Sequence, residues 1–306
     1  MEQAVKNIVQ RYYDEDPVQI KFLGGGFYGR VYGAALKQEP FKVVLKIYLY
    51  PHLAEKEALQ LEILASHATV KMPKVYFMHD SDDVIPYDIL AMEYIDGVNA
   101  GNIEPLPEQT KETIADKMVE NLISYHQTIN PKGFGDIGAK QYDTDWRVHY
   151  KKQADSIFLN AQTMHLQQRL DDFIFKVVCK AYDNYDKVFY LPIEHARLIH
   201  GDYNTWNILL NEPMTSVSAV IDPFNCCWAD SEMDLYQLNN ANGKYYELLD
   251  RYKKKVKLSE NFELKNGFYE VFTEIMHLYK ANKDVNPLTL PPQTENLRKQ
   301  MMFFGI

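Results

Sequence analysis

The residues best suited to chemistry lie in a polar loop between two short apolar runs. Residues 200–207, H-G-D-Y-N-T-W-N, place Asp202 five positions before Asn207. Phosphoryl transfer needs a carboxylate beside the attacking hydroxyl and oxygen ligands for Mg²⁺, and these two side chains could supply them. Asp222 follows fifteen positions after Asn207, at the end of a β-branched run, where it could be a second Mg²⁺ ligand. The alternative is a pair of polar turns capped by Asp and Asn.

A glycine cluster occurs near the start of the chain. Residues 24–31 fit G-x-G-x-x-G-x-V through Gly24, Gly26 and Gly29. Because glycine has no Cβ, its backbone can approach phosphate oxygens and offer N–H donors to them. The cluster lies between two strand patterns, which favours a β-hairpin over nucleotide phosphates and disfavours a dinucleotide fold. An ordinary glycine turn is the alternative.

A lysine stands inside an apolar strand pattern. Lys46 occurs in V-V-L-K-I, where its charge needs a partner such as a nucleotide phosphate together with a carboxylate. Glu57, on the helix predicted next, shares a face with the apolar residues of that helix and is the first candidate. Glu55 and Glu62 are the other candidates. A lysine that faces solvent on a half-exposed strand is the alternative.

These groups need elements to position them. The first 95 residues are predicted to be rich in strands, with one or two helices, of which one covers Leu53–His67, and the chain after Gly97 is predicted to be mainly helical. The predicted strands are 19–23, 30–36, 42–50, 73–78 and 89–94, and short apolar runs at 198–199, 208–210 and 218–221 interrupt the later helical pattern. The later predicted helices are 109–130, 145–170, 171–189, 231–257 and 260–282. The pattern predicts an N-terminal nucleotide-binding lobe over residues 1–95 and a helical lobe over residues 96–306.

Composition excludes several classes of protein. The chain has 306 residues, of which 46% are hydrophobic and 25% charged, so it is not an intrinsically disordered protein. Its net charge of −9 argues against non-specific nucleic-acid binding. No apolar stretch approaches the roughly 20 residues of a membrane span, and no secretory signal is visible. Three cysteines form no disulfide framework, so we expect a cytoplasmic protein.

Taken in order, these motifs resemble the aminoglycoside phosphotransferase and fructosamine kinase superfamily, the small-molecule relatives of the protein kinases. The order is a Gly-rich loop, a strand lysine, a helix glutamate, H-G-D-x-x-x-x-N and I-D-P, and it spans roughly residues 18–280. Residues 228–235, W-A-D-S-E-M-D-L, match the same pattern. The resemblance implies an α+β, protein-kinase-like bilobal fold with a small antiparallel-sheet N-terminal lobe and a large, mainly helical C-terminal lobe.

The resemblance implies that the nucleotide binds in the N-terminal lobe. The three glycines would cover its phosphates, and Lys46, held by Glu57, would bind the α- and β-phosphates. Backbone groups of Glu93 and Ile95 would bind the purine of ATP or GTP.

The resemblance also assigns the catalytic loop. Asp202 would orient the acceptor hydroxyl, and Asn207 and Asp222 would hold Mg²⁺. His200 and Asp234 would brace the loop. Because the transition state of phosphoryl transfer is loose, Asp202 need only be a weak base.

The acceptor is expected to bind in the helical lobe. Asp230 and Glu232 could bind amines of the acceptor, or they could cap helices. Tyr203 and Trp206 stand where the family usually has smaller or aliphatic residues, and they could reshape the acceptor pocket or pack inside the lobe. Further residues that could line the pocket are Phe224, Cys226, Cys227 and Trp228.

The sequence as a whole predicts a kinase that transfers the γ-phosphate of ATP or GTP to a hydroxyl of a small molecule. The acceptor could be an aminoglycoside or another amine-bearing sugar or metabolite. A fructosamine, choline or homoserine kinase and a nucleotide-binding pseudokinase module are the alternatives. Only twelve positions separate Asp222 from Asp234, which disfavours a protein substrate. The expected partners are the nucleotide, Mg²⁺ and the acceptor, with no nucleic acid, membrane or obligate protein partner.

Overall fold

The computed structural model describes residues 1–102, 105–223 and 225–306. The chain forms two compact units. The first unit comprises Met1–Asn121 and Trp206–Asn225, and the second comprises Leu122–Thr205 and Cys226–Ile306. The predicted α+β class, with an antiparallel N-terminal sheet and a mainly helical C-terminal part, is confirmed. Within the described ranges, no helix has both the length and the apolar character that a membrane crossing demands.

The first unit is built on a five-stranded antiparallel sheet of order β1-β2-β3-β5-β4. Its elements up to residue 99 are α1 (Glu2–Tyr13), β1 (Gln19–Gly25), β2 (Gly29–Ala35), β3 (Lys42–Tyr48), α2 (Leu53–His67), β4 (Val75–His79), β5 (Ile89–Glu93) and β6 (Val98–Asn99). Val43, Leu45 and Ile47 of β3 are fully buried because they alternate along the strand and face the core. The central place of β3, between β2 and β5, gives a rigid base to any side chain that it carries.

The helix α1 has no range in the sequence-based assignment. Its buried residues Ala4, Val5, Ile8 and Val9 recur at helical spacing and pack into the core of the sheet. That periodicity over one short segment is the signal that could have found it. The helix ends at Asp14, whose φ of 54° is left-handed.

A small second sheet of the first unit positions the two predicted metal ligands. Strands β10 (Ile208–Leu210) and β11 (Val217–Val220) form a hairpin, and the sheet order is β11-β10-β6. The N–H of Val220 donates to the carbonyl of Lys71 at 3.0 Å. A Cβ added to Gly97 would meet the carbonyl oxygen of Leu210 at 2.4 Å, so the chain after β5 approaches β10 closely where only glycine fits.

The second unit is mainly helical and carries a four-stranded antiparallel sheet of order β7-β9-β12-β8. The helix α3 (Glu108–His126) begins in the first unit and ends in the second. The elements that follow are β7 (Ile129–Asn130), β8 (Gly135–Asp136), α4 (Trp146–Leu166), α5 (Asp172–Asp183), α6 (Tyr185–Val188), β9 (Ala196–Ile199), β12 (Cys227–Ala229), a 3₁₀ helix (Ser231–Asn239), α7 (Leu248–Lys255), α8 (Phe262–Lys280) and α9 (Leu290–Phe303).

Two stretches of the second unit differ from the sequence-based assignment. The helix predicted over residues 231–257 is a 3₁₀ helix followed by turns, with Ala241 and Glu247 at φ of 51° and 55°, and α7 begins only at Leu248. The helix α9 is absent from the sequence-based assignment, and Pro291 and Pro292 lie in its first turn. Proline suits that position because the first N–H groups of a helix have no partner within it.

Candidate active site

A buried lysine of the first unit is paired with two carboxylates. Lys46, on β3, is 8% exposed, and Glu57, on α2, is 1% exposed. The Lys46 ammonium lies 2.9 Å from Glu57 Oε1 and 2.7 Å from Oε2. It also donates to Asp222 Oδ1 at 2.7 Å. Because an unpaired charge is costly to remove from water, this pairing explains how a lysine can occupy so apolar a strand.

The two carboxylates keep the lysine charged. Burial alone would lower the pKa of Lys46, but the charges and hydrogen bonds of Glu57 and Asp222 outweigh burial and raise it. Tyr48 donates its hydroxyl to Glu57 Oε2 at 2.8 Å and fixes the glutamate. Tyr48 was not predicted as a site residue. Its spacing of two from Lys46 on one strand places both on the same face, and that spacing is the signal that could have found it.

The predicted metal ligands lie at one end of the β10–β11 hairpin. The N–H of Ile221 donates to the carbonyl of Asn207 at 2.9 Å, so the backbones of Asn207 and the segment before Asp222 are adjacent. Asp222 has a φ of 58°, in the left-handed region, and its side chain is 47% exposed. Such backbone geometry in a non-glycine residue is often found at functional sites.

The donor set of this hairpin end fits Mg²⁺. Asn207 offers an amide oxygen and Asp222 a carboxylate, both hard oxygen ligands. Across residues 1–102, 105–223 and 225–306, no group of three or more His, Cys, Asp or Glu side chains is arranged to hold a metal ion. That is compatible with Mg²⁺, which is commonly held by one or two carboxylates and completes its shell with water and phosphate oxygens.

The glycine hairpin is open at two positions and closed at a third. A Cβ added to Gly24 or Gly26 would meet nothing within 4 Å, whereas one added to Gly29 would meet the carbonyl oxygen of Ile47 at 2.7 Å. Arg30 donates to the carbonyls of Gly26 and Gly29 at 2.6 and 2.9 Å, and so closes the turn from one side. Gly29 is therefore required by packing, while Gly24 and Gly26 leave space beside the backbone. Arg30 was not predicted as a site residue.

The predicted purine linker begins at the end of β5. Glu93 is the last residue of β5, and its N–H donates to the carbonyl of Lys74 at 2.8 Å. Its carboxylate is paired with Lys71. Ile95, two positions on, is partly buried.

The predicted catalytic loop is held by hydrogen bonds of the second unit. The backbone N–H groups of His200 and Gly201 donate to the Asp234 carboxylate at 2.8 and 2.7 Å. His126 Nε2 lies 3.3 Å from Asp234 Oδ2. Asp202 is partly exposed, and Asn204 Nδ2 donates to its Oδ1 at 2.7 Å. Asp234 therefore fixes the backbone before Asp202, and Asn204 orients the carboxylate itself. His126 and Asn204 were not predicted.

The two unusual aromatic residues of the loop behave differently. Tyr203 is fully buried, and its ring packs edge-on against His200 and Tyr125 at 5.4 and 6.3 Å. It packs inside the second unit and so does not reshape a pocket. Trp206 is 46% exposed and belongs to the first unit.

The two predicted acceptor carboxylates are buried and share a lysine. Lys265 lies 2.7 Å from Asp230 Oδ2 and 2.8 Å from Glu232 Oε2. Asp230 also accepts from the Tyr269 hydroxyl at 2.9 Å, and Glu232 from the Ser259 N–H at 2.6 Å. Both border a cavity of about 580 Å³ in the second unit. That they bind an acceptor amine stays a prediction, and Phe224, predicted beside them, lies outside the described residues.

The site residues thus fall into two sets. The first unit contains the three glycines, Lys46, Glu57, Glu93, Ile95, Asn207 and Asp222, and the second contains His200, Asp202, Asp230, Glu232 and Asp234. The model of the phosphotransferase enzyme family matches residues 19–245. The chain belongs to this family of phosphotransferases, and the resemblance drawn from its motifs is confirmed.

Known relatives extend the comparison. An Escherichia coli (strain K12) protein, YcbJ, which is itself uncharacterized, is 21% identical over 249 residues, which are 80% of this chain and 81% of YcbJ. A Haemophilus somnus 129PT protein provisionally named a fructosamine-3-kinase has a similar fold, with a TM-score of 0.68 at 16% identity over 99% of this chain and 97% of that one. A thermostable variant of aminoglycoside phosphotransferase APH(4)-Ia, in complex with AMP-PNP and hygromycin B, has a TM-score of 0.68 at 14% identity over 98% of both chains. The GDP complex of aminoglycoside 2'-phosphotransferase-IIIa has a TM-score of 0.65 at 15% identity over 97% of this chain and 96% of that one.

Proposed function

We propose that this phosphotransferase transfers the γ-phosphate of ATP or GTP to a hydroxyl group of a small molecule. The observation that carries the proposal is the buried Lys46, held between Glu57 and Asp222 on a rigid central strand. A lysine kept charged in this way is suited to bind nucleotide phosphates. The nucleotide complexes of the similar folds support the same donor.

Each part of the site has a proposed role. Lys46 binds the α- and β-phosphates, and Gly24 and Gly26 leave room for the backbone to approach them. Glu93 and Ile95 bind the purine through their backbone groups. Asn207 and Asp222 would hold Mg²⁺, which when bound neutralises charge on the phosphates and aligns them for transfer.

The acceptor is held ready by the catalytic loop. Asp202 accepts a hydrogen bond from the acceptor hydroxyl and orients its oxygen toward the phosphate. Asn204 fixes the Asp202 carboxylate, and Asp234 fixes the preceding backbone at His200. Because a loose transition state demands little proton abstraction, most of the rate comes from this positioning.

The proposed lobes and location rest on the sequence. Nucleotide binding is assigned to residues 1–95, and the catalytic loop and acceptor site to residues 96–306. The motif order supports this assignment. A cytoplasmic location is supported by the low cysteine count. Aminoglycosides or other amine-bearing compounds are the proposed acceptors, since two of the similar structures are aminoglycoside phosphotransferases.

The test is nucleoside diphosphate release from Mg-ATP and Mg-GTP in the presence of pooled acceptors: aminoglycosides, fructosamines and amino alcohols. We expect acceptor-dependent release that disappears in Asp202→Asn and in Lys46→Ala. Lys42→Ala is the matched control, because Lys42 lies on the same strand and forms an exposed pair with Asp96. Asp222→Asn should lose the Mg²⁺ dependence of nucleotide binding.

Two results would replace the proposal. Mg²⁺-dependent nucleotide binding with no release from any pool would favour a nucleotide-binding module without turnover. Release in Lys46→Ala equal to that in Lys42→Ala would remove Lys46 from the nucleotide site.

A further inference from the structure

The second unit contains a cavity of about 580 Å³ that the proposed phosphoryl transfer does not use. It is bordered by the end of α3, the segment 191–195 before β9, the start of the 3₁₀ helix and the segment that follows α7. Arg197, on β9, lines this cavity, whereas Asp202 follows the other end of the same strand. The three strand positions from Arg197 to His200 span about 10 Å. The cavity is therefore separate from the loop that carries Asp202, and we call it the β9 cavity.

The two buried carboxylates that border the β9 cavity already have partners. Lys265, which is 2% exposed, pairs with Asp230 at 2.7 Å and with Glu232 at 2.8 Å. Asp230 also accepts a hydrogen bond from the Tyr269 hydroxyl. Glu232 accepts from both the N–H and the hydroxyl of Ser259, at 2.6 Å each. These two carboxylates therefore leave little negative charge for a ligand.

The basic side chains of the β9 cavity are less completely paired. Arg197 donates its Nη1 to the carbonyl of His126 at 2.6 Å, and within the described ranges that is its one hydrogen bond. Because a guanidinium has five N–H donors, Arg197 can still bind an anion through Nε and Nη2. Lys257 is exposed and forms no ion pair with the residues that the structure describes. The remaining acidic residue of the lining, Glu194, is exposed to solvent.

The surface beside the β9 cavity is basic, although the chain as a whole is acidic. Residues 251–257, R-Y-K-K-K-V-K, contain five of the 33 Lys and Arg residues of a chain with a net charge of −9. Lys255 and Lys257 of this run line the cavity. Clustered cations attract anions, and they attract a dianion more strongly than a monoanion. Apolar side chains of Leu191, Ile193 and Val256 also line the cavity, so the ligand that fits is an organic molecule with a phosphate group.

The β9 cavity is connected to the catalytic loop through hydrogen bonds. His126 lines the cavity and is 4% exposed. Its carbonyl accepts from Arg197, and its Nε2 lies 3.3 Å from Asp234 Oδ2. Asp234 in turn accepts from the backbone N–H of His200 at 2.8 Å. A ligand that draws Arg197 away from His126 therefore acts on the group that holds the backbone before Asp202.

We propose that the β9 cavity is a regulatory site for an organic phosphate. The phosphate group binds Arg197 and Lys257, and the organic part of the ligand lies against the apolar side chains. Because the phosphate competes with the His126 carbonyl for the Arg197 guanidinium, the bound ligand loosens the support of the catalytic loop. The site differs from the one that binds the acceptor, and the inference does not depend on the identity of the acceptor.

The first test is binding of phenyl phosphate by isothermal titration calorimetry, with phenol as the neutral counterpart. We expect phenyl phosphate to bind the wild type, and phenol to bind at least about tenfold more weakly. Arg197→Met should lose about tenfold or more in affinity for phenyl phosphate, and Lys257→Met about threefold. Lys254→Met is the matched control, because Lys254 is an exposed lysine of the same basic run that does not line the cavity. Circular dichroism checks the fold of each variant.

The second test is hydrogen exchange of peptides over residues 198–207, which report on the catalytic loop. Saturating phenyl phosphate should speed exchange there severalfold in the wild type and leave it unchanged in Arg197→Met. No binding of phenyl phosphate, equal affinities of Lys257→Met and Lys254→Met, or exchange over 198–207 that is unchanged or slower would each overturn the inference. Neither test uses a nucleotide, so a failure here is distinct from a failure of the phosphotransfer proposal.

Discussion

The buried pair Lys46–Glu57 leads to a sharp prediction about stability. In Lys46→Met, the Glu57 carboxylate, which is 1% exposed, keeps its hydrogen bond from the Tyr48 hydroxyl but loses its ammonium partner. Breaking a buried pair in this way costs about 3–5 kcal/mol. Glu57→Gln should cost less, about 1–3 kcal/mol, because Lys46 keeps Asp222 and the amide oxygen can still accept its hydrogen bond.

The double variant makes the prediction quantitative. Lys46→Met with Glu57→Gln removes both buried charges, and apolar replacement of a buried pair is often nearly neutral. We therefore expect the double variant to lose about 2 kcal/mol less than the sum of the two single losses. The free energy of unfolding is measured by urea titration with circular dichroism. Hydrogen exchange of peptides over residues 42–67 locates the change in β3 and α2.

The exposed pair Lys42–Asp96 on the same strand is the matched control. Its side chains are 52% and 56% exposed, so solvent screens the attraction and Lys42→Met with Asp96→Asn should show no measurable coupling. If the losses from Lys46→Met and Glu57→Gln simply add, or if their coupling is no larger than that of the control pair, the buried pair does not stabilise the first unit as argued.

Three further predictions concern single positions. Gly29→Ala should lower the free energy of unfolding, measured by urea titration, by about 1–3 kcal/mol, because the added Cβ meets the Ile47 carbonyl. Gly26→Ala should keep the wild-type stability and weaken ADP binding. Equal stability of the two variants would contradict this prediction. Asp234→Asn turns an amide donor toward the N–H of His200 or Gly201, so it should lower the free energy of unfolding by about 2–4 kcal/mol and turnover about 10²-fold. Asp250→Asn, at an exposed position, is the control. Wild-type turnover in Asp234→Asn would show that Asp234 does not brace the loop. Burial raises the pKa of Glu270 in the folded state to about 7, above the ordinary value of 4.5 for a glutamate. Its protonated form therefore contributes stability below about pH 4.5 that is lost as the pH rises through 7. Relative to Glu270→Gln, the wild type should lose up to about 3 kcal/mol between pH 4.5 and 8, and parallel stability curves would refute this.

The short-range features of the fold follow closely from the sequence. Helical periodicity and the absence of glycine and proline predict α2 over Leu53–His67, with the bounds that the structure has. The same periodicity places Glu57, and not Glu55 or Glu62, on the apolar face, and the structure buries it there. Local patterns are sufficient here, because the position of Glu57, the apolar residues around it and the periodicity of α2 all indicate the same buried face.

The contacts between distant segments cannot be predicted from local patterns in the sequence. The hydrogen bonds of His126 with Asp234 and Tyr252 join segments more than 100 positions apart, and no local pattern marks them. Lys265 resembles an ordinary surface lysine in sequence, yet it lies buried between two carboxylates. Prolines near residue 290 are compatible with two opposite structures, because a proline breaks a helix in its interior but suits its first turn. Only the packing of this segment against α8 decides between the two.

The division of the chain has a consequence for its synthesis. The first unit needs Trp206–Asn225, but the ribosome makes all of Leu122–Thr205 before that segment emerges. The five-stranded sheet can fold early with Lys46 and Glu57 in place, and Asp222 can join them only after the intervening segment Leu122–Thr205 has been made. A fragment that stops at Asn121 is therefore expected to contain the sheet and the Lys46–Glu57 pair, but neither of the proposed Mg²⁺ ligands. A nascent chain of this protein acquires its glycine hairpin and strand lysine long before it could bind Mg²⁺ with a nucleotide.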